Sequence, residues 1–223
     1  MRCFLIAFIF PFVLSMKPDY LEFLEDYDDY LKPKSKVNYT RNNACFGDYM
    51  SVVSLPLELY VDHKRCNLKF SKDMWKKEPI VRYNDVVTTD LFAMVMVDPD
   101  VPGLKEDEYY LHWLVVNILG CELADGYIER ADKIIRYKPI APARGTGFHK
   151  YQFLIYQQSG IIPKCKFSEK QRNRFKLFDW LKSRAPKRFY GPLSGVQFQA
   201  DFNSPGIESD DPDIPFKCDH MFY

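Results

Sequence analysis

The sequence predicts a mainly β fold, a sandwich of short strands. Of its 223 residues 16% are aromatic, with 18 phenylalanines and 15 tyrosines. Aromatic and β-branched residues favour strands. Turn-forming glycines and prolines separate the predicted strands at Pro102-Gly103, Leu119-Gly120, Asp125-Gly126 and residues 141–145. Several short strands joined by such turns are typical of a sandwich.

The strand pattern recurs along the chain in the order 55–61, 67–70, 79–83, 91–97, 112–118, 150–158 and 191–202. Residues 91–97 form an almost continuous apolar run, which indicates a strand covered on both faces. Residues 168–184 are instead predicted to be helical. Ser168 followed by Gln171 matches the capping-box pattern of a helix start.

The termini differ in character from the predicted sandwich. Arg2 followed by a short apolar run is typical of a secretory signal peptide cleaved after Ser15, and the run is too short to span a bilayer. The predicted organisation is therefore a signal peptide over 1–15, an N-terminal helix and polar linker over 16–51, a β domain over 52–202 and an acidic C-terminal tail over 203–223.

Residues 17–32 have the apolar spacing of an amphipathic helix, bounded by prolines at 18 and 33. The helix either packs on its own domain or docks a partner. No other stretch is long and apolar enough to span a membrane. The net charge of +1, from 31 basic and 30 acidic residues, argues against a nucleic-acid binder.

Secretion gives the cysteines and the sequon a specific meaning. No Cys-x-x-Cys spacing supports a zinc site, whereas an oxidising compartment permits disulfides. Cys45 and Cys66 are the favoured pair because both lie in the N-terminal part of the chain, although spacing alone does not fix the connectivity. Asn38 begins an Asn-Tyr-Thr sequon in a polar stretch and is the candidate for glycosylation.

Polar residues collect at the ends of the most apolar predicted strands. Asp98 follows the 91–97 run, and His112 and His149 each begin a later run. Each of them taken alone is typical of a turn aspartate or a buried structural histidine. Together, two imidazoles beside glycine and proline loops predict a site for an anion, with Asp98 orienting a ring. Tyr151 is two residues past His149, so both side chains point to the same face of a strand.

Two blocks carry a family resemblance, Asp98-Pro99-Asp100-Val101-Pro102 followed by His112, and residues 145–151, which read Gly-Thr-Gly-Phe-His-Lys-Tyr. In these blocks the chain resembles the phosphatidylethanolamine-binding proteins, the family that includes Raf-kinase inhibitor proteins and plant flowering regulators. The similarity extends from about residue 55 to residue 202.

The resemblance implies an antiparallel β-sandwich with a few peripheral helices and a small pocket for phosphate-like groups. It implies a binding protein rather than an enzyme, with no cofactor. The pocket residues carried over by the resemblance are Asp98, His112, Pro142, His149 and Tyr151, with Ala141 and the glycine turn at the rim. Where family members often have a second histidine before His112, this chain has Leu111.

Three functions follow as hypotheses. The first is a secreted, non-enzymatic protein that binds a phosphate-like anion or a phospholipid head group through His112 and His149. The second is an extracellular protease inhibitor or signalling modulator that acts through the 17–32 helix or the acidic tail. The third is a hydrolase or a metal enzyme. A metal would have Asp98, His112 and His149 as ligands, and a serine hydrolase is disfavoured because no Gly-x-Ser-x-Gly nucleophile motif is present.

Overall fold

The computed structural model describes residues 39–55, 58–164, 167–184 and 189–203. The chain divides into two units, residues 1–36 and 37–223, and every described residue belongs to the second. The predicted signal peptide, the 17–32 helix, the Asn38 sequon and the acidic tail beyond residue 203 lie outside the described residues.

Eight strands form two antiparallel sheets, which confirms the predicted sandwich. A three-stranded sheet has the order β2-β1-β3 and a five-stranded sheet the order β6-β5-β4-β7-β8. The strands are β1 (Met50–Ser54), β2 (Leu59–Val61), β3 (Ile80–Tyr83), β4 (Leu91–Asp98), β5 (Tyr110–Leu119), β6 (Asp132–Ile135), β7 (His149–Gln158) and β8 (Phe189–Ala200). Short helices lie outside the sheets, namely 3-10 turns at Lys72–Trp75 and Glu169–Arg172, α1 (Gly120–Asp125) and α2 (Leu177–Lys182).

The central strand β4 is buried on both faces, as its continuous apolar run predicts. On one face Met94 and Met96 join a core shared with the three-stranded sheet. On the other face Ala93, Val95 and Val97 join a second core, with Phe175 and Trp180 of the C-terminal segment among its members. The larger sheet is therefore the middle layer of the domain, between the smaller sheet and the segment that carries α2.

The helix expected over 168–184 is interrupted. The capping box at Ser168 and Gln171 is present, but the turn that it starts ends at Arg172. Arg174 has a φ of +56°, and Phe175 then pairs with Tyr109 through two backbone hydrogen bonds of 2.8 and 2.9 Å. That pairing buries the Phe175 ring in the second core, and a helix resumes only at Leu177.

The first and second strand segments were also misplaced by the pattern. Strand β1 lies earlier than residues 55–61, where Leu55 is a turn residue and only β2 forms. Residues 67–70 form no strand, although Lys69 makes one isolated bridge to Gln199. In the described part of these two segments only some of the alternating apolar residues are buried: Val61 lies in β2 and Phe70 packs in the core, but Leu55 and Leu68 are exposed.

Residues 39–49, expected to be a polar linker, contact the larger sheet. Phe46 pairs with Gly195 of β8, and Ala44 is fully buried. A disulfide joins Cys45 to Cys66, the pair favoured by the sequence, with a Cα–Cα distance of 5.8 Å. Among the described cysteines, Cys121 is free and exposed. In the described part of the chain no helix is long and apolar enough to cross a membrane.

Candidate functional site

The predicted site residues meet at one edge of the larger sheet. Strand β4 ends at Asp98, and its antiparallel neighbours β5 and β7 both begin beside that end. Val97 pairs with Leu111 on one side and with Gln152 on the other. Antiparallel pairing therefore brings the end of β4 next to His112 of β5 and to His149 and Tyr151 of β7.

A β-bulge directs His112 into this site. Met96 pairs with Trp113, but the next residue, Val97, pairs with Leu111, which leaves His112 as the extra residue of β5. Without a bulge, residues 111 and 113 would point to the same face. Here Leu111 belongs to one core and Trp113 to the other, because the extra residue reverses the alternation.

The His149 ring is held at both nitrogens. Its Nδ1 is 2.8 Å from Asp98 Oδ2, and its Nε2 is 2.8 Å from Thr146 Oγ1. The hydroxyl of Thr146 also lies 2.8 Å from the carbonyl oxygen of Ala143. A hydroxyl has one proton, so when Thr146 donates it to Ala143, it accepts from His149 Nε2–H. His149 then carries a proton on each nitrogen.

The electrostatics agree with a charged His149. Burial lowers the pKa of His149, but the hydrogen bond and the negative charge of Asp98 outweigh burial, and the pKa is raised above its ordinary value of 6.5. Asp98 is fixed in turn, because its Oδ1 accepts the backbone N–H of Asp100 at 2.7 Å. Both side chains are 3% exposed, so this is a buried ion pair.

His112 differs from His149 in charge. Its Nδ1–H donates to the carbonyl oxygen of Lys138 at 2.9 Å. Burial lowers the pKa of His112 to about 4, more than the Lys138 carbonyl and Asp98 raise it. His112 is therefore neutral near pH 7, and its Nε2 is an acceptor with no protein partner among the described residues. His149 can therefore bind an anion through a charge-assisted hydrogen bond, whereas the neutral ring of His112 cannot.

Tyr151 lies between the two histidines. Its ring centroid is 5.3 Å from that of His112, edge to face, and 6.4 Å from that of His149, nearly parallel. Burial and the charges of Asp98 and Asp100 raise the pKa of Tyr151, so its hydroxyl stays protonated. Tyr151 lines the pocket, and its hydroxyl makes no hydrogen bond to another described residue, so it is available as a donor.

These residues surround a pocket of about 260 Å³. Its walls comprise Asp98, Val101, Pro102, Tyr110, His112, Lys138, Pro139, Ala141, Pro142, Ala143, His149 and Tyr151. The structure thus brings together all of the pocket residues that the sequence singled out, including Ala141 at the rim. Gly145 and Gly147 stand outside the lining, where their φ values of +82° and +78° form the turn that carries Thr146 to His149.

Arg172, which sequence reasoning did not single out, supports the pocket from behind. Its buried guanidinium donates to the carbonyl oxygens of Leu111, His112 and Arg136 at 3.2, 2.8 and 3.0 Å. Glu169 completes its contacts with two hydrogen bonds of 2.6 and 2.9 Å. Arg172 therefore fixes the bulged part of β5 against the segment that continues to Lys138.

Arg41 supports the opposite side of the pocket. Its guanidinium donates to the carbonyl oxygens of Pro99, Glu106 and Glu108, which lie in the loop between β4 and β5. This loop directly follows Asp98. The N-terminal segment that the disulfide ties down thus also contributes to the shape of the site.

Sequence reasoning missed three further side chains at the site, Tyr110, Lys138 and Thr146. Lys138 and Tyr110 line the pocket together, with Lys138 Nζ 5.5 Å from the centre of the Tyr110 ring. Only Thr146 had a sequence signal, because a hydroxyl three residues before His149 within a glycine turn is placed to reach its ring. Lys138 lies between the two motif blocks and belongs to neither.

The geometry does not favour the metal hypothesis. Two of the expected ligands, Asp98 and His149, are hydrogen-bonded to each other through Oδ2 and Nδ1. In the described ranges, no group of three or more His, Cys, Asp or Glu side chains is arranged to hold a metal ion.

The chain matches the model of a known protein family. A family model described as phosphatidylethanolamine-binding protein matches residues 60–190, more than half of the chain. That range contains every residue of the pocket lining.

A curated relative, the 26 kDa secreted antigen of Toxocara canis, is 37% identical over 75 residues. The match covers 33% of this chain and 27% of that protein, so the chain spans less than a third of this relative's length.

Two solved structures share the fold. A phosphatidylethanolamine-binding protein from Plasmodium vivax has a TM-score of 0.55 at 16% identity, and the match covers 81% of this chain and 96% of that one. A carboxypeptidase Y inhibitor, solved in complex with its cognate proteinase, has a TM-score of 0.52 at 17% identity and coverages of 82% and 93%. At such identities the likeness concerns the fold alone.

Proposed function

This chain belongs to the phosphatidylethanolamine-binding protein family, and on that premise we propose that it is a secreted binding protein without catalytic turnover. Its pocket holds a phosphate-like anion or a phospholipid head group. One observation carries the proposal, namely that Asp98, His112, His149 and Tyr151 converge on a single small pocket at the sheet edge.

The pocket offers donors suited to an anion. The Tyr151 hydroxyl is free, and the Lys138 side chain contributes an ammonium group at the wall. His149 supplies positive charge, and its Nε2–H reaches a ligand once Thr146 yields its place. Charge-assisted hydrogen bonds of this kind are stronger than neutral ones.

The dimensions favour a head group over a whole lipid. A volume of about 260 Å³ lies below the roughly 300–1,000 Å³ that is usual for drug-sized ligands. Two acyl chains do not fit in such a space. A lipid ligand would keep its chains outside and insert its phosphate.

Secretion is supported by three independent features. The first 15 residues have the pattern of a signal peptide. The Cys45–Cys66 disulfide suits an oxidising compartment. The relative from Toxocara canis is named a secreted antigen.

Isothermal calorimetry with inorganic phosphate tests the pocket. We expect Asp98→Ala and His149→Ala each to weaken binding at least tenfold, because each substitution breaks the buried ion pair that shapes the site. His63→Ala, at an exposed histidine away from the pocket, is the control and should bind like the wild type. Unchanged affinity in both pocket variants, with the fold intact by circular dichroism, would refute the proposal.

Inhibition of an extracellular protease is the alternative. Its expected contact surfaces, residues 17–32 and the acidic tail, lie almost wholly outside the described residues, so no described contact favours it. Assays of a serine carboxypeptidase with the chain lacking each segment would test it, since a head-group binder should not need either segment.

A further inference from the structure

We propose that the pocket selects phosphate monoesters over phosphodiesters, and that Lys138 is the residue that sets this preference. The inference rests on the proposed function, because it names the ligand class of the same pocket. It draws on the charges of the lining, on the donors of the wall and on the free nitrogen of His112.

The charges of the lining leave one cation uncompensated. Asp98 and His149 neutralise each other in their buried pair. The only other cationic side chain among the lining residues is Lys138. Within the described residues no carboxylate forms an ion pair with its ammonium group, whose contact is the face of the Tyr110 ring. The hydrogen bonds from Arg172 hold the Glu169 carboxylate and are the main cause of its lowered pKa, to which the Lys138 charge adds a smaller part. A phosphate monoester, with a charge of about −1.5 to −2 near pH 7, gains more from this cation than a singly charged diester does.

The wall that carries Lys138 has few other donors. Pro139 and Pro142 lack a backbone N–H. The backbone N–H of Lys138 is already used, since it donates to the carbonyl oxygen of His112 at 3.0 Å. The ammonium group of Lys138 is therefore the strong donor that this side of the pocket offers to a phosphate oxygen.

The acceptor nitrogen of His112 also discriminates. Because Nδ1–H donates to the Lys138 carbonyl, the free Nε2 of the neutral ring presents a lone pair. The two forms of a monoester present near pH 7 are favoured by different groups. Lys138 attracts the dianion, whereas the singly protonated form has the same charge as a diester but also has a P–O–H group to donate to the His112 lone pair. A phosphodiester has no such proton, and its oxygens would face the lone pair without a hydrogen bond, which is unfavourable in a buried site.

Calorimetry with two matched soluble probes tests the preference. Glycerol 3-phosphate is a monoester, and glycerophosphoglycerol is a singly charged diester built on the same glycerol, with no cationic group. We expect the wild type to bind the monoester about tenfold more tightly, as one added charge-assisted hydrogen bond would give. In Lys138→Gln the ratio should fall below about threefold. Arg144→Gln, which removes an exposed cation from the adjacent turn, is the control and should keep the wild-type ratio.

Vesicles distinguish the source of the monoester. Phosphatidylcholine vesicles doped with phosphatidic acid present a lipid monoester, and vesicles doped with phosphatidylglycerol present an anionic diester. Cosedimentation with the first and not with the second supports the inference with a lipid as its source. Binding of glycerol 3-phosphate without cosedimentation supports it with a soluble source.

Two results would overturn the inference alone. One is equal affinity for monoester and diester in the wild type, and the other is a Lys138→Gln ratio as large as that of Arg144→Gln. Both leave the proposed function standing, because phosphate still binds. If neither soluble probe, inorganic phosphate nor either vesicle binds, the proposed function and this inference both fail.

Discussion

Thr146 governs what His149 can offer to a ligand. With the Thr146 hydroxyl donating to Ala143, the second ring proton of His149 is satisfied inside the protein. An anion must displace that hydroxyl or use other donors. The free hydroxyl of Tyr151 and the ammonium of Lys138 are thus the first groups that an incoming phosphate meets.

Tyr151→Phe isolates one of these donors. We expect a roughly 10- to 150-fold loss of phosphate affinity, since a hydrogen bond to a charged group contributes about 1.5–3 kcal/mol and the ring itself is retained. The Tyr156 hydroxyl is buried without a partner on the other face of the sheet, so Tyr156→Phe is a matched control. Calorimetry should show wild-type affinity in the control. Equal affinities in the two variants would remove Tyr151 from the site.

The two pocket histidines give stability opposite dependences on pH. The folded-state pKa of His112 is about 4, below its ordinary 6.5, so between these values the unfolded chain binds more protons and stability falls as pH falls. The pKa of His149 is raised, so its contribution is present below pH 6.5 and is lost as pH rises through the folded-state pKa.

Urea denaturation from pH 7 to pH 4 checks this reasoning. His112→Gln should abolish an acid-dependent loss of about 3 kcal/mol in the free energy of unfolding. His149→Gln should steepen the loss, because it removes the opposing contribution. His63→Gln, at a half-exposed histidine, should leave the wild-type slope. A wild-type slope in His112→Gln would show that the ring is not held neutral.

The motif blocks predicted Asp98, His112, His149 and Tyr151 and their common location, but not Tyr110 or Lys138. They did not predict the charge of His112, because its pKa depends on burial and on a carbonyl 26 residues away. They also did not predict the bulge, since an extra residue in a strand leaves no mark in the apolar pattern of β5.

The 3-10 turn Glu169–Arg172 holds the back of the pocket in place through the hydrogen bonds of Arg172. Arg172→Met should remove one donor from each of three carbonyl oxygens, although that of His112 keeps the backbone N–H of Lys138. The free energy of unfolding should fall by about 2 kcal/mol, and phosphate binding should weaken. Lys170→Gln changes an exposed residue of the same helix and should do neither. Full phosphate affinity in Arg172→Met would show that the pocket does not depend on these hydrogen bonds.

The disulfide connects the N-terminal segment to the loop before the first 3-10 turn. Replacing Cys45 and Cys66 by serine should lower the free energy of unfolding by about 3 kcal/mol, because the bond closes a loop of about 20 residues. Dithiothreitol should shift the melting temperature of the wild type and leave that of the double variant unchanged. An equal shift in both would mean that the reagent acts elsewhere.

The elements that bury continuous apolar runs were predictable, and the irregular ones were not. Strands β4, β5 and β7 lie close to their predicted positions because each contains a long apolar run that predicts a strand. The C-terminal segment has helical spacing and a correct capping box, but tertiary pairing of Phe175 with Tyr109 overrides it. Such pairing depends on residues distant in sequence.

For the whole molecule, the layered arrangement explains where the pocket forms. The larger sheet is covered on both faces. The polar side chains of the pocket therefore lie at the ends of its inner strands, where loops supply backbone donors and acceptors. Strands of the larger sheet hold the two histidines and Tyr151, and the glycine turn bears Thr146.

The proposed function requires that an anion enters the pocket between His112 and His149. The most direct test is nitrogen-15 NMR of the histidine rings during titration with inorganic phosphate near pH 7. We predict saturable shifts of the His112 and His149 ring signals, with His63 unchanged as an exposed internal reference. Ring signals of His112 and His149 that stay fixed, or that move only in parallel with His63, would contradict it.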